Sequence, residues 1–300
     1  MEWLASIRKA IGYMEEHLLD DISAQDVADE VNMSFFFLQR GFSAITGYGI
    51  SEYLRNRRLY EAAKNLKETD SKIIDIALKY GYETPESFAK AFSRFHGGTP
   101  TQIRNDQIPM KAFLPLSVKI VVHGGDQMEY KVKNMFGFTV IGFQKVFTSE
   151  EAYQKIPVFW DEIIDKYAKN VYAGNKPSNP YEQAIVDNGI GEYGICIDDL
   201  GEGKFRYLIA GKYTGGEVPE GMVTYTFPNC EWAVFDCYGP IPNTLQSLNT
   251  RIFKEWLPGN PEYELSGNMN VEWYDTIHGN TKDPDYHCAI WIPVKMKNQK

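Results

Sequence analysis

The fold of the N-terminal third follows from a stretch of sequence that occurs twice. Its first copy reads Val27-Ala28-Asp29-Glu30-Val31-Asn32-Met33-Ser34 and continues to Thr46. Its second copy reads Ile76-Ala77-Leu78-Lys79-Tyr80-Gly81-Tyr82-Glu83-Thr84-Pro85 and continues to Phe95. In each copy a small alanine, which lets two helices cross closely, stands four residues before Asn32 or Gly81, residue types that tolerate a left-handed turn. Each copy therefore predicts a short helix, a tight turn and a second helix, which is a helix-turn-helix motif.

The residues around the two copies extend them into a helical domain. Apolar residues at helical spacing predict an amphipathic helix from Trp3 to Leu19, and a long helix over residues 51–67 joins the two motifs. Ser34 and Thr84 are placed to cap the second helix of each motif. We therefore expect an all-α N-terminal domain, residues 1–108, with two helix-turn-helix motifs.

The character of the chain changes after this domain. Residues 109–127 contain Pro109, Pro115 and Gly124-Gly125, which predict a linker. From Met128 onward the order strand, helix, strand, strand occurs twice, so we expect an α+β C-terminal domain, residues 128–298, built from two such repeats. The polar segment 170–191 predicts a long loop that forms either a flap over a site or mobile surface.

Charge and composition limit the classes of function. The 300-residue chain has a net charge of −9, and residues 1–108 hold 13 Lys and Arg against 16 Asp and Glu, so this domain cannot coat DNA indiscriminately. The sequence predicts no membrane span and no secretion signal. The four cysteines lack metal or redox spacing, which favours free thiols in a reducing cytoplasm. The G-x-G-x-x-G match at 189–194 opens a strand instead of a helix, so we expect no nucleotide cofactor. The five histidines show no metal pairing, so we expect no metal.

Helical spacing separates the two faces of each predicted second helix. In the first, Phe35, Leu38, Phe42 and Ile45 share a face that we expect to be core, and Phe36, Arg40 and Ser43 fall on the opposite face. An exposed arginine can bind guanine edges and a phenylalanine can pack on a thymine methyl group. The alternative is that Phe36 packs on a neighbouring helix and Arg40 makes a surface ion pair.

The second helix divides in the same way. Its predicted buried stripe contains Phe88, Phe92 and Phe95. Its outer stripe contains Glu86, Lys90 and Arg94, which could contact DNA or form an ordinary charge ladder along a solvated helix.

Several segments resemble the AraC/XylS family of bacterial transcription regulators. They are Ser34-Phe35-Phe36-Phe37-Leu38-Gln39-Arg40-Gly41-Phe42, Gly47, Tyr53-Leu54-Arg55-Asn56-Arg57-Arg58-Leu59-Tyr60-Glu61-Ala62, Ile73-Ile74-Asp75-Ile76-Ala77, Gly81-Tyr82, Ser87-Phe88, Phe92 and Gly98-Thr99-Pro100. The resemblance covers residues 1–106 and implies that the two recognition helices enter successive major grooves on one face of DNA. The positions that match the family's base-reading residues are Phe36, Arg40, Glu86, Ser87 and Lys90, and we expect Gln39, Ser43, Arg55 and Arg94 to contact DNA with them. Two residues depart from the family: Ile50 stands where a proline is usual, and Glu86 places a negative charge where a neutral group is common. The second site is therefore expected either to bind weakly or to prefer cytosine, whose amino group can donate to the carboxylate.

One carboxylate stands out in the C-terminal half. Glu272 lies in the segment Val271-Glu272-Trp273-Tyr274, and strand alternation places it on one face with Asn270 and Tyr274. A carboxylate among aromatic rings suits an organic cation, because charge pairing and cation–π contact act together. The alternative is a glutamate at a sheet edge that faces water.

Residues 128–297 are similar to the GyrI-like effector-binding domain. The segments that carry this resemblance are Val140-Ile141-Gly142, Ile156-Pro157-Val158-Phe159-Trp160, Tyr193-Gly194-Ile195, Tyr207, Ala210-Gly211 and Val271-Glu272-Trp273-Tyr274. Joined to the AraC-type head, this domain resembles the Rob-like subgroup. The resemblance implies a cleft between paired repeats, and the ligand-binding residues that we expect there are Glu272, Tyr274, Trp232, Tyr225 and Trp160.

Together these features predict a cytoplasmic, non-enzymatic transcription regulator. Its expected partners are duplex DNA at a promoter, a hydrophobic small molecule for which Glu272 favours positive charge, and RNA polymerase, with no membrane. Two alternatives stay open for the C-terminal domain. It could be a small-molecule hydrolase in which Glu272, with Tyr274 or Trp232, transfers a proton, or it could be a protein-binding module.

Overall fold

The computed structural model describes residues 3–118, 128–148, 151–200, 204–276 and 280–297. The chain forms two compact units, of which the first contains residues 1–33 and 46–122 and the second contains residues 34–45 and 123–300. The change of unit near residue 122 falls inside the predicted linker 109–127, of which residues 119–127 lie outside the described part. The segment 34–45 belongs to the second unit, although its sequence lies within the predicted N-terminal domain.

The described residues up to Arg104 form helices joined by short turns, as the sequence predicts. The helices are α1 (Trp3–Glu16), α2 (Ala24–Glu30), α3 (Phe35–Thr46), α4 (Ile50–Glu68), α5 (Ile73–Lys79), α6 (Pro85–His96) and α7 (Pro100–Arg104). The turn residues Asn32 and Gly81 both have positive φ, at 53° and 82°, as the two motifs require. The predicted caps are also present: the Ser34 hydroxyl accepts from the Phe37 N–H, and the Thr84 hydroxyl accepts from the Ser87 N–H.

The first unit is built around a core between α4, α5 and α6. Its buried members are Leu59, Ala62, Ala63, Leu66, Ile76, Ala77, Tyr80, Phe88, Phe92 and Ile103. Ala77 is completely buried, which agrees with the need for a small residue where α5 and α6 cross.

A buried arginine ties three parts of the first unit together. Arg57 of α4 is 4% exposed and donates two hydrogen bonds of 2.8 Å to the Glu15 carboxylate of α1. It also donates to Glu61 and to the Phe113 carbonyl of the predicted linker, so the described part of that segment is packed against the helices.

We expect Arg57→Ala to lower the free energy of unfolding of the first unit by about 2–3 kcal/mol, because the Glu15 carboxylate would lose its partner. Arg55→Ala is the matched control, since Arg55 is exposed on the same helix and its loss should change stability by less than about 0.5 kcal/mol. Hydrogen exchange of the α4 amides measures the opening free energy. Equal exchange in the two variants would contradict the structural role of Arg57.

The second unit contains one antiparallel sheet in addition to α3. Its strands are β1 (Lys131–Met135), β2 (Thr139–Thr148), β3 (Tyr193–Asp199), β4 (Lys204–Lys212), β5 (Met222–Thr226), β6 (Cys230–Tyr238), β7 (Tyr263–Leu265), β8 (Asn270–Tyr274) and β9 (His287–Met296). They are hydrogen-bonded in the order β1-β6-β9-β8-β3-β4-β2-β5, and β7 pairs with β9.

Helices connect the strands of each repeat. They are α8 (Ala152–Ile163), α9 (Lys169–Tyr172), α10 (Pro180–Asn188), α11 (Asn243–Arg251) and α12 (Leu257–Gly259). A π-helical turn continues α8 at Ile164–Ala168, and a second one continues α11 at Ile252–Trp256. The units β2-α8-β3-β4 and β6-α11-β8-β9 are therefore equivalent, which confirms the two predicted repeats. Strands β3 and β8 join them at the centre of the sheet.

The prediction of a continuous loop over 170–191 was wrong, because this segment contains α10. The side chain of Asn179 caps that helix by accepting from the Glu182 N–H, and Pro180 occupies the first helical position. The Glu182 carboxylate then accepts hydrogen bonds from Asn170 and Ser178, which fixes the preceding turn.

The two faces of the sheet have different surroundings. One face holds an apolar cluster that contains Val140, Ile195, Leu208, Trp232, Val234 and Val271. The rings of Phe227, which follows β5, and Trp232 of β6 lie 5.7 Å apart within this cluster. The other face packs against the helices, for example through Phe147 with Phe159 and Phe235 with Trp256.

Candidate functional site

Helix α6 presents the outer stripe that the sequence predicts. Phe88 and Phe92 are buried in the core, and the side chains on the other side are exposed, namely Glu86, Ser87, Lys90 and Arg94. Arg55 on α4 is exposed as well. These five residues are accessible to a nucleic acid, and their contact with DNA stays a prediction.

Helix α3 does not present such a stripe. Phe35, Leu38 and Phe42 are buried as expected, but Phe36 is only 2% exposed, so the prediction that it lies on a solvent face was wrong for this state of the chain. Its ring packs on Phe205 of β4, with centroids 5.5 Å apart. The burial has a direct cause, since α3 is part of the second unit and contacts its sheet.

The other residues predicted on α3 are also covered to different degrees. Gln39 is buried, and Ser43 and Arg40 are half-buried. The ring of Phe37 lies 6.3 Å from that of Phe253, in the π-helical turn after α11. Both sides of α3 therefore contribute apolar contacts, and the predicted division into a core face and a DNA face does not hold.

Glu272 lies at the centre of a hydrogen-bonded aromatic cluster. Its Oε2 accepts from the Tyr207 hydroxyl at 3.0 Å and from the Tyr274 hydroxyl at 2.9 Å. The Trp160 Nε1–H donates to the Tyr207 oxygen at 3.0 Å, and the Trp160 and Tyr274 rings meet edge-on with centroids 5.2 Å apart. We call Glu272, Tyr207, Tyr274 and Trp160 the carboxylate cage. Because β8 pairs with β3 and β9 and two tyrosines donate to the carboxylate, Glu272 does not face water at a sheet edge.

A glycine on the neighbouring strand leaves room for this cage. Gly194 of β3 pairs with Glu272 of β8. A Cβ atom at Gly194 would collide with the Tyr207 hydroxyl and would lie 2.9 Å from Glu272 Oε2. Any larger residue there would displace the groups that hold the carboxylate.

The cage keeps its hydroxyl groups protonated. Burial, reinforced by the negative charge of Glu272, raises the pKa of Tyr207 and of Tyr274 well above the usual tyrosine value. Burial also raises the pKa of the nearby Cys196 thiol to about 12, although Arg40 opposes this shift. Near neutral pH both tyrosines are therefore neutral donors, and each directs its proton at the same carboxylate oxygen.

The other oxygen of Glu272 faces a cation from α3. Arg40 Nη2 lies 3.9 Å from Glu272 Oε1, and the two side chains are 15% and 16% exposed. Arg40 Nη1 donates to Cys196 Sγ at 3.7 Å, and the guanidinium lies 5.2 Å from the centroid of the Phe36 ring. Arg40 thus makes a largely buried ion pair. The alternative to DNA contact that the sequence suggested was an ion pair at the surface.

The structure brings together only part of the predicted ligand-binding set. Tyr274 and Trp160 surround Glu272, but Trp232 and Tyr225 belong to the apolar cluster on the opposite face of the sheet. Trp232 is completely buried there, against Phe227 and Trp291. Their assignment to the same site as Glu272 was wrong, because aromatic character does not indicate which face of a strand a residue occupies.

Tyr207 is the residue of the carboxylate cage that the sequence did not lead us to expect beside Glu272. The available signal was the alternation in β4, where Phe205 and Tyr207 share one face and Leu208 belongs to the apolar cluster on the other. Among the described residues, no group of three or more His, Cys, Asp or Glu side chains is placed to hold a metal ion. No helix in the same residues has the length and apolar character that crossing a membrane would require.

Each of the two parts of the chain matches a known protein family. Residues 27–106 match the family described as "Helix-turn-helix domain". Residues 132–294, more than half of the chain, match the family described as "Integron-associated effector binding protein".

Three curated relatives show how far the similarity extends. The "HTH-type transcriptional activator AarP" of Providencia stuartii is 36% identical over 114 residues, which cover 38% of this chain and 84% of AarP. The "Uncharacterized HTH-type transcriptional regulator YbfP" of Bacillus subtilis (strain 168) is 36% identical over 200 residues, covering 67% of this chain and 58% of YbfP. The "Transcriptional regulator Rob" of Salmonella typhimurium is 36% identical over 104 residues, covering 35% of this chain and 36% of Rob. The chain thus spans less than two thirds of YbfP and of Rob.

Proposed function

Because this chain belongs to the AraC/XylS family of transcription regulators and carries a GyrI-like effector-binding domain, we propose that its effector is a hydrophobic organic cation bound at Glu272. DNA is contacted through the second helices of the two motifs, α3 and α6, and the bound effector changes transcription by RNA polymerase at the promoter.

The observation that carries the ligand class is the arrangement around the Glu272 carboxylate. Two hydroxyl groups donate to Oε2, and Oε1 faces a guanidinium. A mostly covered carboxylate needs a counter-charge, because leaving it unpaired costs free energy. A small molecule that takes this position must therefore supply a positive charge.

The surroundings of the carboxylate favour a weakly hydrated cation with aromatic or bulky apolar groups. The Tyr274 hydroxyl donates to Glu272, and the Trp160 ring packs edge-on against the Tyr274 ring, so both rings can offer cation–π contacts. A compact ammonium ion loses more hydration free energy on entering such a site than a delocalised or quaternary cation does. We therefore expect quaternary ammonium, phosphonium and delocalised dye cations to bind in preference to primary amines.

The DNA-binding half of the proposal is tested at Lys90. Duplexes enriched from a random pool with the full chain supply the binding site, and a mobility-shift titration measures affinity. We expect Lys90→Ala to weaken binding by about 1–3 kcal/mol, because Lys90 is exposed on the outer stripe of α6. Lys176→Ala removes an exposed lysine from the second unit and is the matched control. If Lys90→Ala binds the enriched duplex as tightly as the control, α6 does not contact DNA through this stripe.

A further inference from the structure

Two residues of α3 together resemble the ligand that the carboxylate cage is proposed to bind. Arg40 supplies a planar, delocalised cation opposite Glu272 Oε1, and the Phe36 ring lies beneath that guanidinium at 5.2 Å. Phe36 packs on Phe205, which lies on the same strand as Tyr207 of the cage. The second unit therefore already holds an aromatic group and a cation side by side at this site, both supplied by its own chain.

Phe36 and Arg40 are also predicted to contact bases in DNA. They cannot lie at Glu272 and contact bases at the same time. A side chain must reach the base edges in the major groove to recognise them. Phe36 is 2% exposed and packs on Phe205, and the Arg40 side chain is 15% exposed and contacts Glu272. The position of α3 in this structure and its insertion into DNA thus exclude each other.

From this geometry we propose that α3 is an internal occupant of the effector site. In the resting chain, Phe36 and Arg40 fill the place of the effector at Glu272. A hydrophobic cation competes with them, displaces α3, and so frees the residues that contact DNA. This inference rests on the proposed function of Glu272 as a cation site. It makes the regulator self-inhibited and makes the effector a positive regulator of DNA binding.

The competition has a predictable size. A ligand whose site is open in only a fraction of molecules binds more weakly by that fraction. If about nine molecules in ten hold α3 at the cage, effector affinity and DNA affinity are each reduced about tenfold. Weakening the contact of Arg40 with Glu272 should therefore raise DNA affinity when the change is made at Glu272, and effector affinity when the change is made at Arg40.

The first test measures DNA binding by the full chain without any effector. Glu272→Gln removes the charge that holds Arg40, at a residue that is not predicted to contact DNA. We expect this variant to bind the enriched duplex about tenfold more tightly than the unmodified chain. Saturating rhodamine 6G should tighten the unmodified chain to the same degree and leave Glu272→Gln unchanged. Glu264→Gln is the control. It removes a carboxylate of β7 that pairs with Lys295 of β9, and this variant should behave like the unmodified chain.

The second test measures dye binding and stands even if Glu272→Gln folds poorly. We expect Arg40→Ala to bind rhodamine 6G about tenfold more tightly, by fluorescence anisotropy, because the cage then has no internal cation. Arg251→Ala is the control, since it removes an exposed arginine paired with Glu255. Dye binding of equal affinity in Arg40→Ala and in the control would overturn the internal-occupant proposal alone, because the dye would then not compete with Arg40. Absence of dye binding in every variant would overturn the cation site and this inference with it.

Discussion

Replacing Glu272 by glutamine should remove the preference of the second unit for a cation over an uncharged molecule of the same shape. Benzyltrimethylammonium and neopentylbenzene form such a pair, since they differ only in nitrogen against carbon at the branched centre. We expect the chain to prefer the cation about 10- to 100-fold, a difference of roughly 1.4–3 kcal/mol, and the glutamine variant to lose most of it. The reason is that Glu272 is the charged member of the cage, while Tyr207 and Tyr274 stay neutral.

The ratio of the two affinities is the informative quantity. Displacement of Arg40 by the ligand contributes equally to both affinities and cancels in the ratio. Both ligands are measured by competition against rhodamine 6G, and Glu264→Gln again supplies the control. A ratio that stays the same in Glu272→Gln would show that this carboxylate does not select charge.

The second large effect concerns stability. Trp232→Ala should lower the free energy of unfolding of the second unit by about 3–5 kcal/mol, because the completely buried indole leaves a cavity between Phe227 and Trp291. Hydrogen exchange of the β6 and β9 amides in the full chain measures the loss. Under conditions where the variant stays folded, its preference for a cation over the uncharged isostere should be unchanged.

Tyr238→Ala is the matched control for this prediction. Tyr238 lies on the same strand as Trp232 but is 65% exposed, so its removal should alter stability by less than about 1 kcal/mol. A small stability change in Trp232→Ala, accompanied by loss of cation selectivity, would return Trp232 to the ligand site. That result would contradict the assignment of the two faces of the sheet.

The two second helices show what the sequence could and could not predict. In α6 the apolar stripe that contains Phe88 and Phe92 lies on the opposite side of the helix from the charged residues. Helical periodicity therefore identified the buried side of α6 correctly. In α3 the run Phe35-Phe36-Phe37-Leu38 is apolar on every side of the helix. A helix that is apolar on every side tends to be buried on every side. The run of four apolar residues was therefore a better guide to the burial of α3 than helical spacing. That α3 packs on β4 required the structure, because the partner strand lies about 170 positions along the chain from it.

The sequence identified the carboxylate of the cage more readily than the aromatic residues around it. Alternation in β8 correctly separated Glu272 and Tyr274 from Val271. Whether Tyr207 and Trp232 lie on the same side of the sheet as Glu272 depends on which face of β4 and of β6 points to the helices. That choice is set by the pairing of the two repeats, which no short segment of sequence contains.

A crystal structure of the full chain with rhodamine 6G would test the account most directly. We predict that the delocalised cation of the dye lies against Glu272, within about 6 Å of the ring centroid of Trp160 or Tyr274, and that Phe36 and Arg40 have left the cage. A dye bound elsewhere, with Arg40 still opposite Glu272, would contradict both the cation site and its occupation by α3.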